Sequence, residues 1–596
     1  MRRGFTTSLL LIAIFVALIR SYVHLFGDLL LPYATLDGDD AGAPPPPPAA
    51  FPLNANLTQP LSHRPNFAVR ELLRHPSARL SPPPPESILF PDWETLLVLP
   101  LHSAAIASAG NHRNLSCLFH NGAVSPAGFV GTLPTSPARA AFRCPIPSSI
   151  RRLRAFYTPR LIDPAAAAAA PESDGHDPQS EMIRWTRLAY EAVSTPTDIV
   201  VFAKGVNTRL GVNRPPSDLR CLFSSYASGD DAPVAATPAA SSAQEVFRCP
   251  HPAATAIAAK SRTGEALRVS LEIAAEGIQI PSLANYPWPP VARRTTEGRA
   301  LICACTMVRN VAKFLAEWIV YHSAIGVERF FLYDNGSDDG LHSVVGRLAS
   351  DGFNISTRFW PWPKTQEAGF SHCATVNRDT CTWMAFIDVD EFIFSPAWAG
   401  SELPNRTMLG SLVAVRRNVG QVSMRCFDFG PSGLRAHPRD GVTQGYTCRR
   451  RKLERHKSLV RLDAVDDSLV NSVHHFELKT GFGTRRTGVS AARVYHYKYQ
   501  AWEEFKVKFR RRVSAYTVDW TETVKLRSKD RTPGLGFEPV EPKGWANRFC
   551  EVKDSRLRDV NRKWFRVEGP NEDFRMAWEW DGRRERTRER ERDSFS

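Results

Sequence analysis

The 596-residue chain has no C-x-x-C pair and no histidine cluster at finger spacing, so a structural zinc site has no ligand set. It has no recognition-helix pattern and no aromatic RNA-binding signature, which sets nucleic acid aside as a partner. It also lacks an uninterrupted apolar run of the roughly 20 residues that a spanning helix needs. The run from Phe5 to Ile19 is broken by Arg20, and a mixed apolar pattern resumes from Ser21 to Leu31. No clean small-x-small cleavage site follows it.

What is present organises the chain. Met1-Arg2-Arg3 precedes the apolar run, and Arg20 is long enough to snorkel to an interface. The expectation is an uncleaved signal anchor with a cytosolic N-terminus. Many of the 46 prolines lie before residue 100, and the runs Pro44 to Pro48 and Pro82 to Pro85 read as semi-rigid spacers. An anchor followed by a proline-rich stem is the layout of a type II, single-pass enzyme of the secretory pathway, and the expected address is the Golgi membrane with the catalytic part lumenal. Sequons at Asn56, Asn114, Asn335, Asn354 and Asn405 permit that address. The net charge of +15 favours anionic partners such as nucleotide phosphates.

Between residues 90 and 280 a motif recurs. Cys117-Leu118-Phe119 precedes Phe142-Arg143-Cys144-Pro145, and Cys221-Leu222-Phe223 precedes Phe247-Arg248-Cys249-Pro250. Near-equal spacing predicts two disulfides, Cys117–Cys144 and Cys221–Cys249. Short apolar or alternating runs at Thr95–Pro100, Asp198–Ala203 and Ala266–Glu272 predict strands in a mostly β domain. The other cysteines of the 11 are odd in number, so at least one stays free or pairs between chains; Cys373–Cys381 and Cys426–Cys448 are candidate pairs.

From Ala300 to Val308 the composition is that of a buried strand. A helix with apolar positions Phe314, Leu315, Trp318, Ile319 and Ile325 follows, stopped by Gly326. Phe330-Phe331-Leu332-Tyr333 is a second strand, ending in Asp334-Asn335-Gly336-Ser337. Strand–helix–strand implies a right-handed parallel unit, with ligands at the carboxyl ends of the strands. Thr306, Arg309, Asp334 and Asn335 then share one mouth. Farther on, Met384-Ala385-Phe386-Ile387-Asp388-Val389-Asp390-Glu391-Phe392 sets three carboxylates in an apolar run. Charge there needs a neutralising cation, and alternation lets Asp388 and Asp390 share one divalent ion. A nucleotide-binding half followed by a metal-binding carboxylate strand is the order that an α/β sugar-nucleotide transferase of the GT-A type requires.

The motifs Cys305-Thr306-Met307-Val308-Arg309-Asn310, Glu317-Trp318-Ile319-Val320-Tyr321-His322, Tyr333-Asp334-Asn335 and Phe386-Ile387-Asp388-Val389-Asp390-Glu391-Phe392 together resemble glycosyltransferase family 92, which includes the plant β-1,4-galactan synthases. The resemblance spans roughly residues 300 to 515. It implies a GT-A fold, inversion at the anomeric carbon, a UDP-sugar donor with galactose favoured, and Mn²⁺ or another divalent cation. It implies a third metal ligand from a late histidine, His496 first and His474 next. It also relates the β region to the carbohydrate-binding domain of the galactan synthases.

The remaining site assignments follow from position. Gln366 and Lys457 join Thr306, Arg309, Asp334 and Asn335 as donor-binding candidates. A general base for the acceptor hydroxyl is sought in Asp428, Glu391 or Glu367. The acceptor is an oligo- or polysaccharide, and self-association is a further expected partnership. The expected domains are a cytosolic tail (1–4), signal anchor (5–31), proline-rich stem (32–90), β-rich domain (91–285), catalytic domain (295–560) and charged tail (561–596). The competing reading is an inactive carbohydrate-binding or scaffold protein of the secretory pathway.

Overall fold

The computed structural model describes residues 85–101, 115–135, 138–151, 153, 155–163, 180–207, 212–225, 233–257, 267–286, 298–508, 534–535, 538–568 and 574–579. The expected anchor lies outside the described residues, as does most of the stem. Among the described residues no helix is long and apolar enough to cross a membrane.

The first folded part is β-rich. Strand β1 (Glu86–Phe90) begins inside the span read as stem, because Ile88 and Phe90 alternate into the core. It pairs antiparallel with β2 (Glu94–Pro100), and β2 pairs with β4 (Arg139–Pro145), itself flanked by β3 (Gly128–Leu133). A second group contains β5 (Leu188–Ser194), β6 (Asp198–Lys204) and β8 (Val246–Pro250), and a third pairs β7 (Leu219–Ser225) with β9 (Leu267–Ile273). The three strands predicted from short apolar or alternating runs correspond to β2, β6 and β9. Both predicted disulfides form, Cys117–Cys144 and Cys221–Cys249.

The second part is built on a 10-stranded mixed sheet. Its first half is parallel: β10 (Ala300–Val308) lies between β11 (Arg329–Asp334) and β13 (Cys381–Phe386), and β12 (Ile355–Phe359) flanks β11. Helices α1 (Ala312–Ile325), α2 (Leu341–Ser350) and α3 (Gln366–Val376) provide the crossovers. Beyond β13 the sheet turns antiparallel through β16 (Cys448–Arg461) and β15 (Val419–Phe429). It closes with β17 (Arg493–His496) against β14 (Glu391–Phe394). Helix α4 (Arg556–Phe565) runs past residue 560, and its Trp564 and Phe565 join Trp578 in the main core.

The candidate pairs Cys373–Cys381 and Cys426–Cys448 are replaced by Cys303–Cys381, Cys305–Cys373 and Cys448–Cys550. The cause is register. Cys303 and Cys305 share one face of β10, which sits beside β13 and under α3, so each reaches a different neighbour. Cys426 is the free cysteine among the described residues and is buried.

Candidate active site

Three strands converge on the carboxylates. Strand β13 ends at Phe386, and Asp388-Val389-Asp390 forms a turn into β14 rather than the interior of one strand. This turn lies at the carboxyl end of the parallel half, where such sheets bind ligands. Antiparallel pairing puts His496 of β17 opposite Glu391, and parallel pairing puts it beside Asp428 of β15.

Asp388 is the partly exposed member. Its Oδ1 accepts from Gln366 Nε2 at 3.0 Å, and its Oδ2 lies 3.9 Å from His474 Nε2. Asp390 is buried against His496 Nε2, 3.5 Å away, and against the Lys508 ammonium. Burial alone would raise its pKa, but the Lys508 and His496 charges outweigh it and hold the carboxyl well below the usual range. Glu391 is fully buried. Its Oε2 accepts from the Asp388 backbone N–H at 3.0 Å, and its Oε1 faces Lys457 Nζ at 2.5 Å. Burial would lower the Lys457 pKa, yet the Glu391 and Asp388 charges prevail and raise it.

The two histidines differ in what their nitrogens do. His474 Nδ1 donates to the Phe386 carbonyl at 2.7 Å, which leaves Nε2 to accept from the Lys457 ammonium at 2.6 Å. Neither nitrogen is left over. His496 Nδ1 meets Asp428 Oδ1 at 3.0 Å, while Nε2 is aimed at Asp390 and at Glu391 Oε1, 3.8 Å off. A carboxylate behind the imidazole and carboxylates in front of it form the arrangement of a metal-ligating histidine and its supporting acid. Asp390, Glu391 and His496 have ligand atoms within 4.8 Å of one another, as do Asp388, Glu391 and His474. Carboxylate and imidazole donors suit a divalent ion such as Mn²⁺.

Asp428 is buried, with Oδ1 on His496 and Oδ2 on Lys498 Nζ at 3.2 Å. Burial pushes its carboxyl up, but these two contacts overcome that and hold it at about 2. Both oxygens are engaged inside the protein, as are those of Glu391. Glu367, at the start of α3, stays partly exposed.

The nucleotide-side candidates gather at the ends of β10 and β11. Val308 pairs with Asp334 in the parallel register. Asp334 is buried; its Oδ1 accepts from the Ser337 N–H at 2.9 Å and from its hydroxyl, while Oδ2 has no hydrogen-bond partner among the described residues. Thr306 Oγ1 is likewise buried without one. Unsatisfied polar atoms at such a mouth are what a polar ligand would engage. Asn335 Nδ2 instead holds the Trp360 and Trp362 carbonyls at 2.8 and 3.2 Å, a structural duty. Arg309 is partly exposed on the turn after β10, and Asn310 adopts a positive φ of 52° there.

Sequence reasoning missed the supports. Trp318 Nε1 donates to the Glu391 carbonyl at 3.0 Å, and Tyr321 Oη to the Ile393 carbonyl at 2.7 Å. His322 Nδ1 donates to the Trp318 carbonyl at 2.9 Å, leaving Nε2 to face the Ile393 N–H at 3.4 Å. The α1 motif is therefore a brace for the carboxylate strand. The i, i+3, i+4 spacing of Trp318, Tyr321 and His322 signals one helix face, but nothing in it names β14 as the target. The ammonium groups of Lys498, on Asp428, and Lys508, on Asp390, belong to the same supports.

A family model described as glycosyltransferase family 92 matches residues 299–526. A family 92 protein of Ricinus communis is 40% identical over 490 residues, covering 80% of this chain and 82% of the relative. Relatives from Oryza sativa subsp. japonica and Arabidopsis thaliana are 43% and 44% identical over 64% and 63% of this chain, and 67% and 66% of their own lengths. Among solved structures, a mannosyltransferase from Pyrobaculum calidifontis in complex with GDP-Man and Mn²⁺ overlaps 39% of this chain and 65% of its own at 14% identity; the TM-score of 0.22 gives that overlap no weight. The plant relatives carry the assignment, and the chain belongs to glycosyltransferase family 92.

Proposed function

We propose that the protein is a metal-dependent, inverting hexosyltransferase that moves a sugar, with galactose favoured, from a UDP-sugar to a glycan or cell-wall polysaccharide. The observation that carries this reading is the Asp388-Val389-Asp390 turn at the carboxyl end of β13, with His496 Nε2 3.5 Å from Asp390. Asp390 and His496, with Asp388 completing the set, would hold the cation, because His474 has both nitrogens committed. A divalent ion there supplies positive charge for the departing diphosphate. Asp428 orients His496, Gln366 steadies Asp388, and Lys457 neutralises Glu391, which in turn fixes the turn through the Asp388 N–H. Thr306, Arg309 and Asp334 are taken as the nucleotide side.

The compartment is part of the same reading. Five disulfides suit an oxidising lumen, which supports a Golgi enzyme held by an N-terminal anchor with its catalytic part lumenal. Calorimetry of the full chain with UDP, with and without Mn²⁺, tests the core of the proposal, alongside transfer assays over a panel of UDP-sugars. Metal-dependent UDP binding and transfer are expected. Glycan binding with neither of them would favour the scaffold reading and overturn this one.

A further inference from the structure

The β-rich part and the catalytic part share one core. Leu96, Val98 and Ala141 of the first pack with Tyr333, Trp360 and Trp362 of the second, and Trp185 stacks on Trp362 at 5.8 Å and 8°. Period-two alternation along β4 sends Phe142 and Cys144 into the first part's own core and Ala141 and Arg143 to the opposite, shared face. An arginine is a costly residue to place there. Its side chain is 13% exposed, and its Nε lies 3.4 Å from Glu94 Oε2 without hydrogen-bonding geometry.

The guanidinium reaches the nucleotide mouth. A Cβ on Gly336 would lie 3.3 Å from Arg143 Nη2, and Gly336 holds a positive φ of 76° in the loop that follows Asp334. The backbone of the loop favours glycine there, and Arg143 approaches it closely. Burial lowers the Arg143 pKa, and the charge of Arg309 lowers it further, against Glu94, Asp338 and Asp334. Two guanidiniums from different parts of the chain therefore approach one loop, where Thr306 Oγ1 is buried without a hydrogen-bond partner among the described residues and Asp334 Oδ2 has no hydrogen bond there either, facing the exposed His342 Nε2 at 3.5 Å.

We propose that the β-rich part completes the donor site, and that Arg143 joins Arg309 in holding the nucleoside diphosphate over the Asp334–Ser337 loop. The inference rests on the sugar-nucleotide reading above. Planar guanidinium groups suit phosphate oxygens, and the shared core fixes Arg143 in position before the donor arrives.

The test uses the full chain with Arg143→Ala and Arg143→Lys, UDP calorimetry in Mn²⁺, donor and acceptor KM, kcat and Tm. The alanine variant is expected to weaken UDP binding and raise donor KM by on the order of tenfold, with acceptor KM within about twofold and lysine intermediate. Unchanged UDP affinity in Arg143→Ala overturns the inference, as does a loss that merely tracks a fallen Tm and active fraction. Wild-type protein that fails to bind UDP would remove the underlying reading instead, so the two failures are distinct.

Discussion

At the residue scale, the site turns on how each acid is neutralised. Asp428 separates two chemistries cleanly. As a base it would be indispensable at every metal concentration; as the support for His496 its loss weakens the metal site. Asp428→Asn is expected to raise the Mn²⁺ concentration for half-maximal activity about 10–100-fold, with most of the rate recovered at saturating metal. A rate loss that no Mn²⁺ concentration repairs would return Asp428 to the base role. Asp388→Ala and Asp390→Ala are expected to abolish transfer at all metal concentrations, and Asp390→Ala also to lower the Tm, since it leaves His496 and the Lys508 ammonium without their buried carboxylate. Full metal-dependent activity in either variant would show that the cation sits elsewhere. Glu317 adds a pH effect. It is buried and accepts from the Val442 N–H at 2.7 Å, the Thr443 N–H at 2.9 Å and the Thr443 hydroxyl. Burial nonetheless pushes its pKa up to about 7. The folded chain then holds a proton that the unfolded chain has released, so this group's contribution is complete below the unfolded pKa of about 4.5 and fades as pH rises through about 7. Glu317→Gln should remove that slope from urea melts. It should also destabilise by roughly 1–3 kcal/mol, because an amide N–H₂ would face backbone donors.

At the element scale, α1 is both the crossover of the first parallel unit and the brace of β14. Replacing Tyr321 by Phe keeps the ring and leaves the Ile393 carbonyl buried without its partner. A loss of roughly 1–3 kcal/mol is expected, with a raised metal requirement because the carboxylate turn ends where β14 starts. A change in stability with no change in metal response would mean that the brace does not reach the site. This element also marks where sequence reading succeeds and stops. The strand–helix–strand unit was legible because the apolar composition of its strands and the 3.6-residue period of its helix are local properties of the chain. The acidic turn was legible because charge in an apolar run is costly anywhere. The bond from Tyr321 to Ile393 spans 72 positions, and no local period encodes it. The same holds for Cys303–Cys381 and Cys305–Cys373: alternation put both cysteines on one face, but their partners depended on which strand and helix came to lie beside β10. The first two disulfides were legible because the motif repeats and each closes within one short hairpin-rich segment.

At the scale of the whole molecule, the boundary read from composition near residue 290 separates two sequence patterns, each with apolar clusters of its own, but one core is shared across it. Trp185, Tyr190 and Phe202 of the β-rich part pack on Trp360, Trp362 and His372 of the catalytic part. Arg358 Nη2 reaches Glu191 Oε1 at 3.1 Å, and Gln244 Nε2 donates to the Asn471 carbonyl at 2.7 Å. Burying one such aromatic side chain stabilises by roughly 1.5–3 kcal/mol, so several together tie the folding of one part to the other. The two parts should therefore unfold in one transition, a behaviour unlike that of domains joined by a linker. Trp362→Ala opens a cavity in the shared core and is expected to cost about 3–5 kcal/mol, paid by both parts at once. Calorimetry should show one endotherm that moves down as a unit, coincident with loss of near-ultraviolet dichroism. If the endotherm instead splits, with one component staying at the wild-type temperature, the parts fold independently and the shared core is a docking surface. That outcome would also weaken the case for Arg143, because a guanidinium on a separately folding domain is not held in place for the donor. A single, shifted endotherm would mean that the donor loop and the β4 strand beside it are set by the same cooperative event.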